Sequence, residues 1–592
     1  MALLSLIPQL HLWMVRGRDW NGAYVSPTGD EVIYSAYINA LIAGRTRKND
    51  PFAGKDSTSK SPLPESTFSI QFIPAYVIAI SARTFHVSAS TAFIALICLA
   101  GFFSSLSVFW LLNAVVDDPR LAAVGTFFVL CLGGLAGGSG LLGTLLTNEL
   151  SSPMLPFLRR YQPAAAFPLF FVFNTLVWRS FTSPARRRAR ISMGFAGLTL
   201  AILIFSYLYL WTAAAAWLVC IGLLWLYFRP SDRRRTSAVL TSIGIVTSVA
   251  LVPYVYLVSH RAPSLDEEQA LVSTHQLDLF RIPEVLGLSI LVALVIGVWR
   301  GRIRASQPRA IYAASLALLP FVLFNQQVLT GKSMQPHHFA HFVANYVIPL
   351  GVALCVTLLW KPISPRVMVW IAALFFSWGL VEVGLPSRLA SVPSAITRDQ
   401  MIPMFLRLKE LSNQDGTVAG LRTEGRAPAL VFSPNIGVTA LLPTWTSQGT
   451  LLDMRGLDFG SVSPEERREF FYMHLYYSKV DAESLRNALK DTSDDLEMNF
   501  YARSAMFGYE RVIPGLSYQF QPIQPDEIER EVQAYKVYAN SFSREEALKR
   551  PITYAVIPVE GNFDFANLDR WYERDAGERV GDYTLFRLKL RN

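Results

Sequence analysis

The sequence predicts a polytopic α-helical membrane protein of about eleven spans, followed by a C-terminal extracytoplasmic α/β domain. Three observations predict it. Of 592 residues, 52% are hydrophobic and only 17% charged, against about 25% charged in soluble domains. Apolar runs of bilayer length follow one another as far as Leu385, and beyond Arg388 the texture becomes that of a soluble domain. The formal charge of +9 does not indicate nucleic acid. Much of the excess sits in short arginine clusters between apolar runs, where a positive-inside bias explains it.

The first run, residues 1–13, falls short of the roughly 20 helical residues a bilayer core requires and reads as a first span cut short. No small-residue cleavage site follows it, which argues against a removed leader. Further spans are expected over residues 89–116, 121–146, 164–181, 191–209, 211–228, 238–258, 285–299, 310–324, 342–360 and 367–385. Residues 68–85 are apolar but interrupted by Ser69, Gln71, Pro74, Ser81 and Arg83, and are expected to lie along the membrane surface.

Charge orders these spans. Arg179 with Arg186, Arg187, Arg188 and Arg190 marks one cytoplasmic loop; Arg229 with Arg233, Arg234 and Arg235 marks a second. Arg300, Arg302, Arg304 and Arg309 mark a third, and Lys361 with Arg366 the last. The loops between them, 259–284 and 325–341, are long and weakly charged or acidic. Alternation then puts loop 14–88, loop 148–163 and the tail after Leu385 on the outer side. Against this, the first loop carries Arg45, Arg47, Lys48, Lys55 and Lys60, although it exceeds the length over which the charge rule holds. The expected division is a transmembrane domain over 1–387 and an exported soluble domain over 388–592.

Within the first loop, Asp30 and Glu31 open a helix whose apolar positions are Ile33, Ala36, Tyr37, Ala40 and Leu41, one face of a 3.6-residue period. Thr28 or Asp30 can cap its start, and Gly44 can take the left-handed position past its end. Asp30, Tyr34, Tyr37 and Leu41 fall on one stripe. Two acids at the positive end of a helix have a plain electrostatic account; a carboxylate displayed beside tyrosines also has a chemical one.

Other motifs are weighed by context. Gly138, Gly140 and Gly143 match G-x-G-x-x-G, but inside a hydrophobic run with no preceding strand, so close helix packing is the better account. Loop 148–163 carries Glu149, Arg159, Arg160 and Tyr161; its arginines suit either a phosphate or interfacial anchoring. Loop 325–346 is the richest polar patch, with Lys332, His337, His338, His341 and Asn345. His337 and His341 have a spacing compatible with a metal pair, while Lys332 with a histidine suits an anionic head group. The four cysteines all lie in apolar segments, so there is no disulfide framework and no zinc spacing.

This arrangement resembles the GT-C superfamily of integral-membrane glycosyltransferases, which use polyprenyl-phosphate-linked sugars. The likeness rests on four features. They are the Asp30-Glu31 pair after the first span, the tyrosine- and alanine-rich helix ending in Gly44-Arg45, the surface-lying segment 64–85, and a C-terminal domain on the same side. In that family an acid at this position is the catalytic base, which the resemblance places on Asp30, with Glu31 second. A further acid from the next external loop often assists, and Glu149 is the one available.

The resemblance implies inverting transfer to a glycan, lipid or protein acceptor at the outer face of a bacterial-type inner membrane. Arg159, Arg160, Lys332, His337 and His338 would hold the lipid phosphate, with Tyr34 lining the site and a divalent metal left open. A transporter or flippase is the main rival, and a non-catalytic scaffold the next. Spans almost free of ionisable residues, with Glu382 the chief exception, speak against coupled transport.

Overall fold

The computed structural model describes residues 1–26, 29–136, 140–147, 155–159, 161–268, 271–360, 364–415, 430–452, 459–492, 497–508, 511–512 and 521–592. Glu149, Arg160, Thr28, Gly138 and part of loop 148–163 lie outside the described residues.

Helices dominate the first two thirds of the chain. Among the described residues six are long and apolar enough to cross a membrane by length and composition; Phe72–Phe85, Pro119–Cys131 and Pro308–Phe324 are apolar but shorter. The expected count of about eleven therefore meets several helices below bilayer length. Helix Ala89–Val116 has the expected bounds, and Ser88 Oγ caps it by accepting from the Thr91 amide. The run expected over 121–146 breaks instead. Its helix ends at Cys131, and a short helix Leu141–Thr147 follows.

The break has a packing cause. A Cβ on Gly133 would meet the Tyr346 ring at 2.8 Å, and Gly140 sits at φ +66° with Glu382 pressed against it. The Leu141 amide donates to Glu382 at 3.2 Å. Gly133 thus admits the Tyr346 ring and the Asn345 carbonyl, and Gly140 admits the Glu382 carboxylate. Helix Pro365–Pro386 does not stop at the expected domain boundary either. It passes through a π-helical turn, Ser387–Ser391, and continues as Val392–Gln414.

The two ends of the bundle differ in chemistry. At one end arginines close the connections: Arg235 donates to the Ser180 and Ser183 carbonyls, Arg229 to Ser306 and Arg302 to Leu359. At the other end the long loops meet. The Glu65 amide donates to the His260 carbonyl at 2.9 Å, Tyr161 donates to the Gln71 carbonyl, and Thr274 donates through its amide to Gly331. Helix Phe72–Phe85 packs here on helix Asp30–Ile42 through Ala75, Ile78 and Ala79, leaving Val77, Ile80 and Phe85 exposed.

The C-terminal residues build a six-stranded sheet in the order Gly449–Thr450, Leu430–Phe432, Ile552–Pro558, Tyr583–Leu590, Tyr572–Arg574, with Glu578–Val580 also pairing with Tyr583–Leu590. The first three strands run parallel, and the rest pair antiparallel. Helices Pro464–Tyr477, Ala482–Lys490 and Pro525–Ser541 pack around it. Helix Glu497–Phe507 packs against the first two of these. This unit sits on the first loop: Phe459 stacks on Phe68 at 4.9 Å, and the Thr450 amide donates to the Phe52 carbonyl at 2.7 Å.

Candidate functional site

The site is organised by helix Asp30–Ile42. Its expected apolar face, Ile33, Ala36, Tyr37, Ala40 and Leu41, is buried, and Gly44 follows at φ +91°. Burying that face fixes how the first turn is presented. Asp30 is the first helical residue behind the N-cap Gly29, and among the described residues no side chain caps the helix. Its carboxylate turns outward and is 52% exposed. Glu31, one position on, turns inward and is fully buried. The two adjacent acids, indistinguishable in the sequence, are therefore unlike: one faces water and the other the protein.

Asp30 Oδ2 accepts a hydrogen bond from Arg159 Nη2 at 3.0 Å. Arg159 follows the tight turn Pro156–Leu158, and its side chain is only 6% exposed. Burial pulls its guanidinium down, while Tyr34, Asp30, Glu31 and Tyr207 around it hold it above its ordinary value, so it is a permanent cation. Its Nε is buried and has no acceptor among the described residues. The guanidinium lies over the Phe342 ring at 5.5 Å, an attraction strengthened when water is excluded.

Phe342 belongs to the π-helical stretch Ala340–Ala344, which follows the turn Pro336–Phe339. Such irregular turns re-aim side chains within an otherwise regular helix. Here they gather three histidines. His337 and His338 have ring centroids 4.3 Å apart, and His341 lies 6.5 Å from His337. His338 is held between Tyr209, edge-on at 4.5 Å, and Phe342, stacked at 5.6 Å. The Nδ1 atoms of His338 and His341 are buried without partners among the described residues. His337 is within electrostatic reach of Asp30, Arg281 and Arg159. Tyr34 lies edge-on to Tyr161 at 5.3 Å, one turn from Asp30 on the same helix.

Lys332 does not join this cluster. Its Nζ donates to Asp266 Oδ2 at 3.0 Å, and Arg261 binds the same carboxylate. Burial alone would raise the Asp266 carboxyl, but the bonds from Lys332 and Arg261 hold it below its usual range. The structure thus brings together Asp30, Arg159, His337, His338 and Tyr34, leaves Lys332 on a neighbouring loop, and does not describe Glu149 or Arg160. Sequence reasoning missed Phe342, Tyr209 and Asp266. The signal available was aromatic residues at the ends of apolar runs, where membrane proteins concentrate them.

Among the described residues, no group of three or more His, Cys, Asp or Glu side chains is arranged to hold a metal ion; His337 and His341 have no third ligand there. An apolar groove of about 470 Å³ opens between helices Ala89–Val116 and Phe167–Thr182, lined by Phe103, Leu106, Phe109, Trp110, Pro168 and Leu169. Ala165, which also lines it, donates through its amide to the Tyr161 carbonyl.

No protein-family model matches the chain, and no curated protein does. Solved structures do. ArnT from Cupriavidus metallidurans bound to undecaprenyl phosphate matches at 14% identity and a TM-score of 0.43, covering 99% of this chain and 97% of that one. The apo oligosaccharyltransferase of Archaeoglobus fulgidus matches at 12% and 0.47, covering 97% of this chain and 72% of that one. The same enzyme with Zn and sulfate matches at 13% and 0.45, covering 98% and 72%. The chain is similar to both proteins over nearly its whole length. At these identities and TM-scores, none of the matches sets a residue correspondence.

Proposed function

We propose that this protein transfers a sugar from a polyprenyl-phosphate-linked donor to an acceptor hydroxyl, amide or similar nucleophile, with inversion. The reaction takes place at the extracytoplasmic face of a bacterial-type inner membrane. The observation that carries this reading is the pairing of a half-exposed carboxylate, Asp30, with a buried permanent cation, Arg159, in a bundle that also carries an apolar groove. A carboxylate and a cation suit the acidic head of such a substrate, and an apolar groove between the helices suits its hydrocarbon tail. The arginine-closed connections at the opposite end of the bundle support the assigned side.

In this mechanism the acceptor nucleophile attacks the anomeric carbon from the face opposite the phosphate and passes its proton to Asp30. The bond between the anomeric carbon and the phosphate oxygen breaks, and its electron pair leaves with the lipid phosphate. General-base assistance of this kind contributes about 10²–10⁴-fold. Arg159, whose Nε has no acceptor among the described residues, neutralises the charge growing on the leaving oxygen, and the neighbouring histidines supply further donors. Such preorganised stabilisation is commonly the larger contribution. The groove holds the polyprenyl chain.

The test is a transfer assay with Asp30→Asn in proteoliposomes supplied with a polyprenyl-phosphate-linked sugar. Loss of product with unchanged thermal stability and retained lipid-phosphate binding is expected. Full activity removes Asp30 from the mechanism, and movement of lipid-linked sugar across the bilayer without a new glycosidic bond replaces the reading with transport.

A further inference from the structure

Arg159 and Asp30 are unequal partners. The cation is fixed by burial at 6% exposure and by the Phe342 ring beneath it; the acid is 52% exposed and held through a single oxygen. Arg159 is a buried cation that needs its charge offset, and Asp30, Glu31, Tyr34 and Tyr207 around it do so together. Asp30 does not require Arg159 in the same way, because water and the positive end of its own helix can solvate it.

The contact is also incomplete from the arginine's side. A guanidinium offers five N–H donors in a planar fork, and that fork matches a phosphate through two parallel bonds. Here one Nη2 bond goes to Asp30, while Nε is buried without an acceptor among the described residues. A phosphate seated on the fork would satisfy the idle N–H and supply the counter-charge together, which one carboxylate oxygen does not.

We propose that Arg159 is an exchangeable anion site whose resident occupant is Asp30. The phosphate of the incoming lipid-linked donor takes Arg159 from Asp30, so the base is released only once the donor is seated. This rests on the reading of the site as a lipid-phosphate-dependent transferase. It adds an order to the reaction: donor first, acceptor second. While the ion pair is intact, Asp30 Oδ2 is engaged and the carboxylate is held against Arg159.

A binding series on the purified full chain in detergent tests the exchange, with farnesyl phosphate as the lipid probe and inorganic phosphate as the head group alone. Asp30→Asn and Asp30→Ala, which remove the resident anion, should bind farnesyl phosphate about tenfold more tightly than wild type. Asp30→Glu, which keeps the charge, should not bind it more tightly than wild type. Arg159→Ala should lose binding. Inorganic phosphate should show the same ranking at lower affinity, which assigns the effect to the head group; tightening confined to farnesyl phosphate overturns the exchange in favour of a change in the chain's groove.

Equal or weaker binding by Asp30→Asn and Asp30→Ala, with Arg159→Ala still defective, overturns the exchange and leaves the transferase reading standing. Failure of wild type and every variant to bind farnesyl phosphate overturns both. Should Asp30→Asn not fold, the Ala and Glu variants decide between the same outcomes.

Discussion

Asn39 joins the helix that carries Asp30 to the C-terminal unit: its Nδ2 donates to the Thr446 carbonyl at 2.9 Å and also to that of Pro443 at 3.0 Å. Asn39 lies on the turn next to the buried face of helix Asp30–Ile42, so the C-terminal residues help set how Asp30 is presented. Asn39→Leu removes both bonds and leaves two carbonyls without their donor. Each bond contributes about 0.5–1.5 kcal/mol. A loss of about 1–3 kcal/mol of stability is expected by denaturant or thermal unfolding, with transfer falling further than stability alone explains.

Arg159 and Lys332 are both cations near the site, but they are engaged differently. Lys332 is half-exposed and paired with Asp266, also partly exposed, and such surface pairs contribute about 0–1 kcal/mol. Lys332→Ala should lower transfer less than tenfold. Arg159→Ala removes the buried donor that the proposed mechanism places on the leaving phosphate, and a loss of about 10²–10³-fold in kcat is expected. Side-by-side steady-state kinetics of the two variants check this; equal losses would move Lys332 into the site.

His474 predicts a pH response in the C-terminal unit. Both of its ring nitrogens are buried without partners among the described residues, and burial lowers the imidazole from 6.5 to about 4. Between those values the unfolded chain binds a proton that the folded chain does not, so stability is fully present above pH 6.5. It is lost as pH falls towards about 4. The full effect is roughly 3 kcal/mol. Thermal unfolding at pH 7 and pH 5 should show the drop, and His474→Phe, which keeps an aromatic ring against Phe432, should flatten it.

Much of this architecture was legible in the sequence, and the exceptions have physical reasons. Helix Ala89–Val116 was readable to the residue because nothing interrupts its apolar run and Ser88 caps it. The expected face of helix Asp30–Ile42 is buried, but so are Glu31, Ser35 and Ile38 outside it, because other elements enclose the helix. The break after Cys131 was not, since Gly133 and Gly140 respond to Tyr346 and Glu382, which are far away in the chain. Asp30 and Arg159 were each identifiable as residue types at membrane boundaries, but which cation an acid meets is decided by tertiary packing. Lys332 shows the converse: its position in a polar loop suggested a phosphate, and Asp266, sixty-six residues earlier, occupies it instead. The inward turn of Glu31 likewise depends on the packing of neighbouring elements, which an adjacent pair of acids does not reveal.

The most direct test of the central claim, that Asp30 and Arg159 act as one catalytic unit, is a double-mutant comparison of transfer rates for Asp30→Asn, Arg159→Ala and the two combined. Residues that act as a unit are strongly non-additive. The double variant is expected to be no more than about threefold slower than the slower single variant. Losses that multiply in full would contradict the account, because the acid and the cation would then be acting at independent sites.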